Sequence, residues 1–426
     1  MRWLKPFQAC FGHQAQRVSL SQYVHGLLSD SPRKSMQAML ARVTDPTAYQ
    51  NFQHFITHAP WRADRVWRTL LAQLPDRRGI VLLDETAFPK KGTASVGVAP
   101  QYCGTLGKTA NCQVAVTAAW WAHGRAWLIG AALYLPRDWT TDPPRRARAR
   151  IPEAVAFQEK WRLALQLLRR ARAAGLTVTA VVADAAYGDV AAFRTALHRC
   201  RLAYALGIAC TTTIFLGTPT HRPPGPPTGR RGRPRTWRRL VPPATPLQVR
   251  ALAARWPATQ WRRLTWRNRD HEPRTALFAA WRVTPAHDWR TGRLAPEVWL
   301  LCERSLQATD PDKFFFIHLP RGTALRRLVE LAHQRWAVEQ QYQQLKTELG
   351  LDHFEGRTYP GWNHHVVLTA VAYAFLQRER THRDPSLTFE LIHAIVQEIF
   401  TGLLFAAHPR HLRWLEEARQ LLPLRL

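Results

Sequence analysis

The sequence predicts an α/β fold, a sheet flanked by helices, with a helical segment ahead of it and a basic, strand-rich insertion within it. Three observations carry this. Two short apolar runs, 79–83 and 176–183, each lead directly into an aspartate, Asp84 and Asp184, as strands buried on both faces do at their carboxyl ends. Two longer strand-like runs, 111–121 and 125–135, meet at His123-Gly124, a hairpin turn. Segments of helical period, 152–174 and 190–199, then alternate with the later strands.

Taken in order, apolar residues between Ser19 and Leu74 recur at helical spacing and are broken by polar clusters such as Ser29-Asp30-Ser31-Pro32. This predicts a small helical domain over 1–78. Strand 79–83 and the hairpin follow, then the helix 152–174 stopped by Gly175, strand 176–183, helix 190–199 and strand 202–208. Composition changes in 211–321: residues 221–275 alone hold 14 Arg and 10 Pro against 2 acidic residues. The later part of this insertion carries strand-like runs at 276–283, 298–302 and 313–318. One long helix is expected over 323–349, ended by Gly350, so that 79–210 and 322–380 form one α/β core. Helices at 387–404 and 412–422 make a C-terminal tail, 381–426.

At 426 residues with 46% apolar content the chain has enough material for more than one core. The longest apolar stretch, 366–376, is too short to cross a bilayer and the first residues carry no apolar leader, so a cytoplasmic protein with no membrane partner is expected. Six cysteines without C-x-x-C spacing read as free thiols. The net charge of +30, from 60 basic against 30 acidic residues, points to a polyphosphate partner. Coding bias accounts for there being only 8 Lys among the 60, but not for the twofold excess of bases over acids.

Strand alternation places Leu82 and Asp84 on one side and Glu85 on the other, and sets Asp184 on the side of Val178, Ala180 and Val182. A single strand-end aspartate is more often a cap or turn residue; two ending two core strands, with a third acid, make a stronger pattern. That third acid is Glu339. On an uninterrupted helix Ala332, Arg335, Glu339 and Lys346 share one stripe, flanked by Trp336 and Tyr342. A solvated Arg335–Glu339 pair explains the stripe alone; the flanking aromatics argue that this face is covered. Three carboxylates suit two hard cations, which favour oxygen ligands and can steady both the attacking and the leaving oxygen of a phosphoryl transfer. Two Mg²⁺ ions, replaceable by Mn²⁺, are the expected cofactor.

Around these acids stand Leu82-Leu83-Asp84-Glu85-Thr86, Pro89-Lys90-Lys91-Gly92, the run from Gln101 through Cys103-Gly104-Thr105-Leu106-Gly107 to Lys108, Asn111-Cys112-Gln113-Val114, Ala183-Asp184-Ala185-Ala186-Tyr187-Gly188-Asp189, Arg335-Trp336-Ala337-Val338-Glu339-Gln340 and Lys346-Thr347-Glu348-Leu349-Gly350-Leu351. In this order they resemble the DDE transposases with an RNase H-like core, and among them the bacterial insertion-sequence transposases of family 701. The resemblance implies an RNase H-like mixed sheet with a β-rich insertion between the second Asp and the Glu. It also implies metal ligation by Asp84, Asp184 and Glu339. The implied reaction is cut-and-paste transposition: cleavage at element ends, then attack of the freed 3′-hydroxyls on target DNA, by a homodimer on double-stranded DNA. Relatives carry a tyrosine–arginine–glutamate–lysine pattern; Arg335, Glu339 and Lys346 match it, but Ala332 holds the tyrosine position, and Pro100 stands where a basic residue is expected. A nuclease that does not join strands, and a catalytically silent DNA-binding descendant, are the alternatives.

Lys90, Lys91 and Lys108 are candidate phosphate contacts, with a solvated loop as the plainer reading, and Arg335 and Lys346 are DNA-contact candidates beside the third acid. Gly229-Arg230-Arg231-Gly232-Arg233-Pro234 reads equally as a minor-groove segment, with Arg231 and Arg233 inserted, or as a basic linker. Trp256, Trp261 and Trp266 are candidates for stacking on a displaced base or for simple burial. The N-terminal helices either read DNA or brace the core.

Overall fold

The computed structural model describes residues 2–224, 237–267, 273–383, 387–410 and 413. The chain forms two compact units, one of residues 1–77, 85–176 and 339–426, the other of 78–84 and 177–338. The divisions fall inside a strand, β1 (Arg78–Pro89), and inside a helix, Trp336–Gln343.

In the first unit a 25-residue helix, Tyr359–Arg383, is the organising element. Its Val366–Leu376 portion is almost wholly buried, as a helix apolar on every side must be. The predicted N-terminal helices are present as Gln14–Leu28, Met36–Leu40, Tyr49–Thr57 and Ala63–Ala72, preceded by a 3₁₀ turn, Arg2–Cys10. Gln14–Leu28, Tyr49–Thr57 and Ala63–Ala72 pack on this central helix, and Met36–Leu40 packs on the first two of these. Trp3 donates to the Val371 carbonyl at 3.1 Å, and Tyr23 Oη lies 2.9 Å from His365 Nδ1. His364 stacks on Trp61 with ring centroids 3.6 Å apart. The same unit holds the antiparallel strands β2 (Ala99–Cys103), β3 (Lys108–Ala122) and β4 (Arg125–Leu133), with helix Lys160–Ala173 packed on β3 and β4. β2 was not anticipated, because Pro100 breaks its strand signal; as an edge strand it tolerates the proline. The helix predicted from 152 begins only at Lys160.

The second unit is a mixed sheet. Parallel pairing joins the Arg78–Leu82 portion of β1 to β5 (Thr177–Ala183), and β5 to β6 (Tyr204–Ile208). From β6 the sheet continues antiparallel through Lys313–His318, Val298–Arg304, Pro273–Pro285 and Thr213–Leu216. The strands of the basic segment therefore extend the sheet that carries β5 and β6. Helix Leu325–His333 packs against this sheet. Large mixed sheet and flanking helices agree with the predicted fold class.

The largest departure is in the segment before Gly350. The long helix expected over 323–349 is three pieces: Leu325–His333, Trp336–Gln343 after a turn at Gln334-Arg335, and a π-helical stretch, Gln344–Glu348. At the turn Ala337 N–H bonds to the Gln334 carbonyl and Val338 N–H to that of Arg335, three residues back rather than four. Such tightening and widening reset the phase of the side chains, so the single stripe from Ala332 to Lys346 does not persist. Ala332 is buried in the first piece. The predicted 387–404 helix is observed as Phe389–Ala407, and it is long and apolar enough to span a bilayer by length and composition. The described residues of the predicted 412–422 helix are too few to test it, and Arg231 and Arg233 lie outside the described residues.

Candidate active site

Asp84 and Asp184 are brought together by strand pairing. In the parallel ladder of β1 and β5, Leu82 pairs with Val182. Asp84 and Asp184 each stand two residues beyond this last pair, so continuing the register sets them side by side; Asp184 follows directly on the end of β5, but Asp84 is not the strand end its sequence suggested, because β1 runs on to Pro89. Paired residues of parallel strands project to the same face, so both carboxylates leave the sheet on one side. Asp84 is 8% exposed and its Oδ2 lies 3.2 Å from Arg335 Nη1. Glu85 points the other way, as alternation requires, and pairs with Lys160.

Asp184 also caps the one-turn helix Ala185–Gly188, accepting from the Ala186 N–H at 3.1 Å. The turn is pressed onto β6. A Cβ at Gly188 would stand 1.7 Å from the Gly207 carbonyl oxygen, and one at Gly207 would stand 3.0 Å from the Ala185 nitrogen. Only glycine permits this approach of two backbones, which is the physical content of the Asp-Ala-Ala-Tyr-Gly run. Tyr187 is buried beneath it, and Asp189 accepts from Ala209 N–H at 3.1 Å and Thr212 Oγ1 at 2.8 Å.

Arg194, which sequence reasoning passed over, braces the same turn. It is 4% exposed, donates to the Gly188 carbonyl, and lies 3.0 Å from His287 Nδ1 through Nη2. The available signal was its spacing: it falls one turn after Val190 and beside Phe193 and Leu197, on the apolar face of its helix. A second buried charged group was also missed. Glu303, 4% exposed, lies 2.8 Å from Lys313 Nζ and 3.1 Å from His333 Nε2. Burial pushes its carboxyl up, but the hydrogen bonds and charges of His333 and Lys313 outweigh this and hold it below its ordinary value.

Glu339 lies on the Trp336–Gln343 helix and is exposed. It follows Arg335, the partner of Asp84, by four residues. Among the described residues no three His, Cys, Asp or Glu side chains are grouped closely enough to hold a metal ion. The oxygen donors of Asp84 and Asp184 match a hard divalent cation in kind.

The lysines separate into two classes. Lys90 Nζ donates to the Phe354 carbonyl at 2.7 Å and lies 3.4 Å from that of Asp352, and burial lowers its pKa. Lys346 Nζ donates to the Ala87 carbonyl at 3.0 Å and to Thr105 Oγ1 at 3.2 Å, and burial lowers its pKa as well. Lys91 and Lys108 are exposed. Lys90, Lys91 and Arg33 line a cavity of about 710 Å³ together with Asp352, His353 and Glu355. Of the three tryptophans considered, Trp256 stacks on Trp281 with centroids 3.4 Å apart, and Trp261 is 7% exposed under Arg304. Trp266 stacks on His333 at 4.2 Å and lines a cavity of about 410 Å³ with Trp336 and Gln334. The six cysteines are free thiols, as expected.

Two comparisons bear on this arrangement. A family profile described as "DDE superfamily endonuclease" matches residues 6–273, a span that includes Asp84 and Asp184 and stops before Glu339. A protein of Microchaete diplosiphon, "Probable transposase for insertion sequence element IS701", is 31% identical over 174 residues, 39% of this chain and 42% of that relative, so the chain spans less than half of its length. With more than half of the chain inside the profile, the chain belongs to the DDE superfamily of endonucleases.

Proposed function

We propose that this protein is a DNA transposase of cut-and-paste type, cleaving at the ends of an insertion sequence and joining the freed 3′-hydroxyls to target DNA. The observation that supports the reading is the parallel pairing of Leu82 with Val182, each two residues before an aspartate, Asp84 and Asp184. Glu339 is the third carboxylate of the proposal. Its support is its place one helical turn beyond Arg335, whose guanidinium reaches Asp84 at 3.2 Å. Asp84, Asp184 and Glu339 would hold two Mg²⁺ ions, or Mn²⁺ in their place. Ions held by these carboxylates would supply Lewis-acid activation of the attacking hydroxyl and stabilisation of the leaving oxygen. Before a cation binds, Arg335 offsets the charge of Asp84, and the one-turn helix Ala185–Gly188 holds Asp184 in place. The net charge of +30 supports double-stranded DNA as partner, bound by a homodimer in the cytoplasm.

The test uses the purified protein and duplexes copied from the DNA flanking its own reading frame, labelled at the 3′-hydroxyl end, with supercoiled plasmid as target and Mg²⁺ present. Covalent joining of label to plasmid is the expected result. Cutting without joining would leave a nuclease. Binding without either would leave a catalytically silent DNA-binding protein.

A further inference from the structure

The hairpin between β2 and β3 has a composition at odds with its position. Tyr102, at 67%, is the most exposed large apolar side chain among the described residues, and Leu106 at the turn is 47% exposed. In β2 the side chains alternate: Cys103 points into a small core with Cys112, Val114 and Ala87, so Tyr102 must point out. Thr109 pairs with Tyr102 across the ladder and shares its face; Lys108, also exposed, pairs with Cys103 at the last position before the turn and leaves from the opposite face.

The tip both projects and is held. A Cβ added at Gly104 or Gly107 would meet nothing within 4 Å, so these positions face open space. The turn is closed by the Leu106 N–H bonding to the Cys103 carbonyl at 2.9 Å, with Gly107 at φ +64°. Thr105, in its middle, accepts from Lys346 Nζ, which also holds the Ala87 carbonyl of β1. A loose apolar tip would fold back onto the protein; this one is tied to a half-buried lysine and kept standing.

We propose that this hairpin is a wedge for duplex DNA: Tyr102 and Leu106 enter between base pairs and part them, while Lys108, on the other face of the hairpin base, meets a flanking phosphate. Apolar side chains inserted at a base step unstack and kink the duplex, and an aromatic ring can cover an opened base face. Duplex DNA is preferred over a protein partner because the exposed apolar pair is carried on a hairpin that also exposes Lys108, in a chain of net charge +30. The proposal rests on the DNA-acting reading above and adds to it the group that deforms the duplex.

Inserted side chains unwind DNA, so the test needs no knowledge of the recognised sequence. Closed circular plasmid is relaxed by a topoisomerase I in EDTA with the protein bound, then freed of protein and resolved into topoisomers; binding to a short random-sequence duplex is measured in parallel. Wild-type protein is expected to bind and to shift the topoisomer distribution. The Tyr102→Ala/Leu106→Ala double variant is expected to bind within about threefold of wild type, because phosphate contacts dominate affinity, yet to shift nothing. Both side chains are exposed, so an unchanged melting temperature is expected to accompany the loss. Wild-type binding with no topoisomer shift, or an undiminished shift by the double variant, overturns the wedge and leaves the DNA-acting reading intact. Failure of the wild-type protein to bind duplex at all overturns both.

Discussion

Arg335 Nη1 lies 3.2 Å from Asp84 Oδ2, so a guanidinium stands where a cation would bind the first carboxylate. The two charges compete for the same oxygens. Arg335→Gln is therefore expected to tighten Mg²⁺ binding by roughly fivefold to tenfold, the equivalent of about 1–1.4 kcal/mol. Asp84→Asn is expected to weaken it. The concentration dependence of the Mg²⁺-induced rise in melting temperature measures both, and an unchanged midpoint in Arg335→Gln would show that the pair does not guard the site.

For the three acids, Asp84→Asn, Asp184→Asn and Glu339→Gln keep shape and remove charge. Each is expected to lower cleavage of the element-end duplex by at least about a thousandfold while binding changes by less than about threefold. Wild-type-like cutting by Glu339→Gln would remove that residue from the reaction and leave the paired aspartates to another partner.

Gly188→Ala asks for a Cβ 1.7 Å from a backbone oxygen. Neither backbone yields cheaply, so a loss of about 1–3 kcal/mol in stability is expected, together with loss of cleavage as the Asp184 turn moves. Denaturant unfolding and the cleavage assay read the two effects separately.

Lys90 and Lys91 are neighbours in sequence with opposite expectations. Lys91→Met and Lys108→Met should each reduce the slope of log K against log salt by about 0.9 if each meets one phosphate. Lys90→Met should leave the slope unchanged and lower the melting temperature, because its ammonium holds the carbonyls of residues 352 and 354. Salt titrations of binding to a random duplex distinguish them.

His365 is buried at the centre of the first unit, where burial lowers its pKa to about 4. Its Nδ1 faces Tyr23 Oη and its Nε2 the carbonyls of Gly350 and Leu351. The unfolded chain takes up a proton near pH 6.5 and the folded chain only near 4, so stability is full above the higher value and falls as pH drops between them. The contribution is at most about 3 kcal/mol. A melting temperature that declines from pH 7 to 4.5, more shallowly in His365→Asn, is expected; equal slopes would rule out this histidine as the source.

The buried runs before Asp84 and Asp184 were legible because a buried strand announces itself by local composition, and the opposite directions of Asp84 and Glu85 follow from period-two alternation. That β1 would run on past Asp84 to Pro89 was not legible, because the apolar run stops at Leu83. The basic insertion was visible by its arginine content, but not that its strands would continue the sheet from β6. Pairing between distant strands depends on which edges are open, and local composition does not record that.

What tertiary structure decided is how each charged side chain is used. Lys90 and Lys91 differ because one lies under residues 352–354 and the other is exposed, although no local pattern separates them. The break at Gln334-Arg335 replaced a computed stripe with a turn that delivers Arg335 to Asp84, a contact across 251 residues. Periodicity sets which residues share a face of a regular element. Hydrogen bonds and ion pairs between elements are set by packing, and they determine whether an arginine or lysine braces the fold or remains exposed for a phosphate.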